Sequence, residues 1–229
     1  EIITIDKAIT IDGNGKKLTS TAGRAINVDG ADGATIKNLT IDAKGERAIN
    51  VIQGATNVTI ENVTATAANY TVNVASSAAN AVVAVKDSDL TGKNVVNVAA
   101  ANADVTVDNT TITSIDDSSA EGYSAICLNK DAKGGKIVAT NVTINVNDDS
   151  VKATNGAENG TITINGSTED VDVDVAYISY GDNYYGFTTI EEAIAKAKEG
   201  ETVVLMRDVT ATEIITIDKA ITIDGNGKK

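Results

Sequence analysis

Short runs of alternating apolar and polar residues, bounded by Gly, Asn or Asp, repeat along most of this chain. Arg24-Ala25-Ile26-Asn27-Val28 returns as Arg47-Ala48-Ile49-Asn50-Val51, as Tyr70-Thr71-Val72-Asn73-Val74 and as Asn94-Val95-Val96-Asn97-Val98, at spacings of 23, 23 and 24 residues. A fifth copy, Ser124-Ala125-Ile126-Cys127-Leu128, follows after 30, the excess matching an inserted loop at residues 116–122. A second series keeps step with the first: Ile36-Lys37-Asn38-Leu39-Thr40-Ile41, Ile60-Glu61-Asn62-Val63-Thr64, Val85-Lys86-Asp87-Ser88 and Val107-Asp108-Asn109-Thr110. Runs of this length and alternation read as strands between turns. A period of about 23 residues is too short for a propeller blade and lacks leucine-rich-repeat spacing. The pattern predicts an all-β fold, a parallel β-helix whose coils each bond their backbone to the coils above and below.

Stacking gives the recurring Asn a physical reason. Amides ~4.8 Å apart along the axis can hydrogen-bond to one another. One structural ladder is therefore expected at Asn27, Asn50, Asn73 and Asn97, and another at Asn38, Asn62, Asp87 and Asn109. Cys127 takes the ladder position in its coil and reads as a buried small residue. Further on, residues 136–146 and 160–165 read as strands. In Val171-Asp172-Val173-Asp174-Val175, preceded by Asp170, alternation predicts valines inward and a row of carboxylates outward.

The texture changes at Tyr177. Residues 177–187 hold five of the seven aromatics of the chain. Ile190, Ala193, Ile194 and Ala197 then fall on one helical face. Thr189 with Glu192 forms a capping box, and Gly200 stands where a glycine stops a helix, which predicts a short amphipathic helix over 189–200. An open β-helix end exposes unpaired backbone, so this helix is expected to cap the first coil of a following module. A strand at 202–207 leads to residues 213–229, EIITIDKAITIDGNGKK, which repeat residues 1–17 letter for letter. The chain thus reads as one 212-residue period of a tandem array plus the first 17 residues of the next. The expected organisation is coils over 1–176, an aromatic inter-module junction over 177–188, and the capping helix with the first strands of the next module over 189–229. Tyr177, Tyr180, Tyr184, Tyr185 and Phe187, with Ile190 and Ile194, are the expected inter-module interface. The same tyrosines suit stacking on sugars.

The run from Tyr184-Tyr185-Gly186-Phe187-Thr188-Thr189-Ile190-Glu191-Glu192-Ala193, through Glu199-Gly200-Glu201-Thr202-Val203-Val204-Leu205, to Ile221-Thr222-Ile223-Asp224-Gly225-Asn226-Gly227 resembles the opening of right-handed parallel β-helix repeat domains. Such domains belong to large bacterial and archaeal cell-surface or adhesin-like proteins, related in fold to the pectate-lyase-like superfamily. The specific opening covers about 45 residues, the coil pattern most of the chain. The resemblance implies a right-handed coil, a secreted or wall-associated location and, for many members, no enzyme activity. In that family the helix-strand opening comes first, so a natural module would begin near residue 177.

Composition narrows the function further. The apolar content of 42% is Ala, Val and Ile with only 3% aromatics, and there is no Pro, His or Trp. Small and β-branched side chains suit a narrow, repetitive interior. A net charge of −13 opposes nucleic-acid binding, which needs a basic footprint. No run of 18 apolar residues predicts membrane insertion. The chain opens on Glu with no signal peptide before it, as an excerpt or processed subunit would. One cysteine leaves the redox compartment open. A lyase or hydrolase on this fold needs converging carboxylates, often with Ca²⁺, and a basic residue. Acids are plentiful at Asp116, Asp117, Asp148, Asp149 and 169–174. Before residue 200, however, the only arginines are Arg24 and Arg47, which occupy equivalent coil positions and read as a surface stripe. No EF-hand or glycine-rich calcium spacing occurs, and Asp-Gly-Asn-Gly at 12–15 and 224–227 reads as a turn. Asn-X-Ser/Thr at Asn38, Asn57, Asn62, Asn69, Asn109, Asn141, Asn159 and Asn165 would accept glycans in a glycosylating host, although turns and strands generate the pattern unaided. The expectation is a non-catalytic structural module of an extracellular or cell-surface fibre, with no metal or cofactor. Its partners are identical modules head to tail, with glycans as a further class. The alternative is a carbohydrate-binding or carbohydrate-degrading β-helix of a secreted adhesin or polysaccharide-lyase type.

Overall fold

The structure, a computed structural model, describes residues 1–115, 123–147, 151–180 and 183–229, with backbone only at Tyr180 and Asn183. The inserted loop at 116–122, which holds Asp116 and Asp117, and the acids Asp148 and Asp149 lie outside these residues. The chain forms two compact units, Glu1–Val171 and Asp172–Lys229.

The first unit is a right-handed parallel β-solenoid, the chain having about nine turns. On one face, Ile3–Ile5, Arg24–Asp29, Arg47–Ile52, Tyr70–Val74, Asn94–Val98, Ser124–Leu128 and Val151–Asn155 stack in that order. Every recurrence expected from the sequence pairs with its counterpart: Arg24 with Arg47, Asn27 with Asn50, Asn73 with Asn97, and Asn97 with Cys127. The second face starts with long strands, Thr10–Ser20, Thr35–Ala43 and Val58–Thr66. Later coils split it into pairs, Val82–Lys86 with Asp89–Gly92, Asp104–Asp108 with Thr111–Ser114, and Lys136–Thr140 with Thr143–Asn145, before Thr161–Ile164. In the expected strand 136–146 the split falls at Asn141, whose left-handed φ of 52° matches that of Asn38 and Asn62 inside the unbroken strands of the first coils.

Stacking in register builds the core as columns. Ile26, Ile49, Val72, Val96, Ile126 and Ala153 form one, and Ile36, Ile60, Val85, Val107, Ala139 and Ile164 another, each with at most 5% exposure. A column of this kind needs side chains that match their own copies one coil away. Small and β-branched residues meet that need, and large aromatics do not.

The first amide ladder is present. Asn50 Nδ2 donates to Asn27 Oδ1 at 3.0 Å, Asn73 to Asn50 at 2.7 Å and Asn97 to Asn73 at 2.7 Å. Asn50, Asn73 and Asn97 are buried, while Asn27, at the start of the run, is half-buried. Cys127, expected to be buried, is half-buried too, since it stands at the other end of the run between Asn97 and Thr154. The second series does more than form a ladder. Asn38, Asn62, Asp87 and Asn109 all turn the chain with φ between 46° and 52°, a region that Asn and Asp tolerate far better than other non-glycine residues. Asn38 donates to Asp12 at 3.0 Å, Asn62 to Asn38 at 2.8 Å and Asn109 to Asp87 at 2.6 Å. The step from Asp87 to Asn62 is broken, because a carboxylate has no N–H to give.

The second unit is an antiparallel hairpin, Ala176–Tyr180 with Asn183–Phe187, extended by Thr202–Leu205. The segment 177–188 lies mostly in this hairpin. The helix runs over Ile190–Lys196, with Thr189 Oγ1 accepting the Glu192 N–H at 3.2 Å. It ends short of residue 200: Ala197 is the C-cap, with an extended backbone and its N–H donated to the Ala193 carbonyl. Gly200, at φ 82°, instead serves the turn into Thr202–Leu205. A seven-residue helix is too short to persist alone. It forms by burying Ile190, Ala193 and Ile194 against Ala176, Ile178, Val203 and Leu205, as a cap would.

Candidate assembly site

The seventeen residues that occur twice fold twice, in different surroundings. The turn at Asp-Gly-Asn-Gly has the same conformation in both places. Asp12 Oδ1 accepts the Asn14 N–H at 2.9 Å, and Asp224 Oδ1 accepts the Asn226 N–H at 2.8 Å. Asn14 and Asn226 have φ of 47° and 46°, and Gly15 and Gly227 both have 71°. Asp-Gly-Asn-Gly is thus a turn stabilised by its own aspartate, as expected.

Their neighbours differ. In the first copy, Thr10–Ser20 pairs in parallel with Thr35–Ala43, and the Ile9 carbonyl accepts the Thr35 N–H at 2.9 Å. In the second, Thr222–Asp224 pairs in parallel with Thr202–Leu205, and the Thr222 N–H donates to the Glu201 carbonyl at 3.0 Å. Thr222 is the counterpart of Thr10, and Ala220, whose carbonyl accepts the Gly200 N–H at 2.7 Å, is the counterpart of Ala8. Successive residues of a strand point their backbone groups to opposite edges. Thr10, the first residue of its strand, therefore presents one edge and Ile9, just before it, the other. The coil uses the second edge and the cap uses the first.

Burial follows the same division. Ile5 is 1% exposed in the coil, but its counterpart Ile217 is 48% exposed beside the cap. Ile3 and Ile9 are 36% and 39% exposed in the coil, whereas Ile215 and Ile221 pack against the cap's core. Polar contacts add to the second copy. Lys219 Nζ donates to the carbonyls of Ala195 and Ala197, each at 2.9 Å, at the end of the helix where a cation is favoured. Asn226 Nδ2 donates to the Leu205 carbonyl at 3.1 Å.

Of the residues expected at an inter-module interface, Ile190 and Ile194 are buried in the cap's own core, and Phe187 packs against it. Tyr177, Tyr184 and Tyr185 are half-buried. Tyr177 and Tyr184 meet edge to face, with ring centres 5.8 Å apart at 80°. Tyr180 pairs through its backbone with Asn183. Among the expected acids, the row at 170–174 is corrected. Val173 is 41% exposed and Asp174 only 2%. The strand ends at Val173, so alternation stops there, and Val175 donates its N–H to Phe187 of the hairpin. The Asp174 carboxylate lies against Gly186, where any Cβ would collide with it. Burial raises its pKa to about 7, against a smaller downward pull from Arg207 and with Asp172 and Glu192 adding to the rise.

Elsewhere, Arg47 stacks over the Tyr70 ring at 5.2 Å and contacts Glu46 at 3.3 Å. Of the Asn-X-Ser/Thr asparagines, all but Asn69 have positive φ, so the pattern arises where the coil turns. Sequence reading missed a further corner, at Gly33, Asn57, Asn80, Asn102, Gly134 and Asn159, all with positive φ. Its signal was present: a fully buried Ala precedes each by two positions, at 31, 55, 78, 100, 132 and 157. Among the described residues, no group of three or more His, Cys, Asp or Glu is placed to hold a metal ion, and no helix is long and apolar enough to cross a membrane. Comparison with known protein families, curated proteins and solved structures finds no match to this chain.

Proposed function

We propose that this chain is a non-catalytic structural module of an extracellular or cell-surface fibre or stalk, built from 212-residue β-solenoid repeats joined head to tail. The observation that carries this reading is the division of labour in the duplicated segment. One copy has the coil on one edge, the other has the cap on the opposite edge, and the two sets of neighbours use different backbone groups of the same strand. A segment with both neighbours at once is a continuous solenoid passing from one module's cap into the next module's coils. Heterologous contacts of this kind do not close and so extend into a filament. The resemblance of 184–227 to the opening of surface-protein β-helix repeats supports the location, and the charge of −13 keeps neighbouring fibres apart.

Electron microscopy of the native material, or of a chain carrying several repeats, tests the proposal. About nine turns at ~4.8 Å each give a coaxial axial repeat on the order of 40–45 Å. Fibres with a repeat far outside ~35–60 Å contradict the coaxial arrangement, and compact isolated particles from a multi-repeat chain contradict the fibre.

A further inference from the structure

We infer that the cap, residues 176–209, is a docking site for residues 1–17 of a second copy of this chain, and that residues 213–229 fill it as an exchangeable plug. The inference rests on the head-to-tail reading above. It goes beyond it in making the junction one that separate chains can form and break.

The side chains of 213–229 that contact the cap have the same residues 212 positions earlier, among them Lys7 for Lys219, Ile3 for Ile215, Ile9 for Ile221, Ile11 for Ile223, and Asn14 for Asn226. The contacts available to a second copy are therefore those already seen. The backbone edge they need is open to a partner as well. Among the described residues, Thr10–Ser20 pairs with Thr35–Ala43 alone, and Ile9 directs its carbonyl that way. The backbone groups of Thr10, whose counterpart Thr222 bonds the cap, face the other side. The segment on the second copy also brings its own coil, which covers Ile5, so docking does not have to bury that side of the strand.

Preorganisation distinguishes the incoming segment from the plug. Residues 1–17 are held over Ile3–Ile5 and along Thr10–Ser20 by pairing with the next coil. Residues 213–229 form a strand only at Thr222–Asp224. A segment already ordered loses less conformational freedom on docking than one that must be ordered by the site. The plug has the opposite advantage of being tethered, which gives it a high effective concentration. Exchange is then concentration-dependent, with the plug winning in dilute solution and the second copy winning as chains accumulate.

Disulfide trapping in the full chain tests this, with Cys127→Ala removing the native thiol. Val204 pairs with Asp224 in the parallel register, so Val204→Cys with Asp224→Cys should close within one chain. Val204→Cys with Asp12→Cys should instead link chains into a series of disulfide-bonded multimers, at yields that rise with protein concentration. Adding Ile223→Asp, which weakens only the plug, should raise the multimer yield at fixed concentration several-fold. Efficient intrachain closure with no multimers from the second pair, with or without Ile223→Asp, would overturn exchange while leaving the covalent head-to-tail repeat intact. Failure of both pairs to cross-link would overturn the register on which the inference rests. Disulfide-bonded dimers from Val204→Cys alone, at a yield equal to that of the interchain links from the pair, would show collision rather than docking, and would also overturn it.

Discussion

Replacing Asp174 with Asn should stabilise the cap at neutral pH and leave it almost unchanged in acid. Asp174 is 2% exposed, and burial, the largest influence on it, lifts its pKa from 3.8 to about 7. The folded-state value lies above the unfolded one. Between pH 3.8 and about 7 the folded chain therefore holds a proton that the unfolded chain has lost, and stability falls as pH rises through that window. Below it both states are protonated and the penalty is absent; above it both are ionised and the penalty is complete. A rise of about 3 pKa units at 1.36 kcal/mol each corresponds to about 4 kcal/mol. Asn must place an amide N–H where a carboxylic acid stood, so a gain of roughly 2–4 kcal/mol at pH 8 is expected. Hydrogen exchange of the full chain, corrected for the intrinsic pH dependence, reads this directly in Ala176–Tyr180 and Thr202–Leu205. Wild-type protection in these strands should weaken between about pH 4 and 7, and the Asp174→Asn difference should appear over the same interval. A variant that loses protection at pH 8 would show that the carboxylate is stabilised as an anion by Arg207, and the reasoning from burial would fail. Gly186→Ala offers a second check: its Cβ would collide with the carboxylate, so the same strands should lose protection at every pH.

Asn73→Ala removes the middle rung of the buried ladder and leaves Asn50 Oδ1 and Asn97 Nδ2 without their partner. It should cost about 2–5 kcal/mol in urea denaturation, more than Asn27→Ala at the half-exposed end. Asn62, at φ 50°, should accept Gly with little change in melting temperature, whereas Asn62→Ala should lose roughly 1–2 kcal/mol to left-handed backbone strain. Asp87→Asn restores an amide N–H at the broken step of the outer series and should stabilise by about 0.5–1.5 kcal/mol in the same urea assay. Lys219→Ala leaves the carbonyls of Ala195 and Ala197 without their cation and should fray the Ile190–Lys196 helix, seen as faster exchange there and no change in the coils.

The first unit was legible because a solenoid writes its tertiary contacts into one dimension. Once Asn27, Asn50, Asn73 and Asn97 recur at one coil's spacing, their neighbours in space are known without any knowledge of the turns between them. What the spacing could not show was why an Asn recurs. At Asn38 and Asn62 the amide bonds along the axis, but the left-handed φ alone would select Asn, and a ladder and a turn leave the same letter. The corner at Asn57, Asn80 and Asn102 stayed hidden because Gly takes its place at 33 and 134, and because the buried Ala two residues earlier is an inconspicuous marker in so alanine-rich a chain. At Asp174 the failure was of a different kind. Alternation assigns faces only while a strand continues, and the V-D-V-D-V run carries on in the sequence past the point where the strand ends. The cap's helix was predicted from Thr189, Glu192 and the Ile190–Ala193–Ile194 face. Its early end was not, because Ala197 shares the apolar face of Ile190, Ala193 and Ile194, and nothing in the spacing marks it as the residue that turns extended.

The duplicated segment shows why capping and elongation are one problem in this fold. A solenoid end is a sheet edge, and whatever bonds that edge either stops the stack or continues it. Here the group that bonds it, Thr202–Leu205 with its helix, pairs in parallel and in register with the strand it covers, as a preceding coil would. Recognition need not rely on a separate adhesive patch. In the proposed docking of one copy on another, specificity would lie in features that a generic strand lacks: a lysine that reaches the helix carbonyls, an asparagine that reaches Leu205, and isoleucines at 215, 221 and 223 that meet the cap's apolar core. A strand with other residues at those positions could offer the same backbone edge and still leave the helix end and the Leu205 carbonyl unsatisfied, which is a physical basis for like joining only to like.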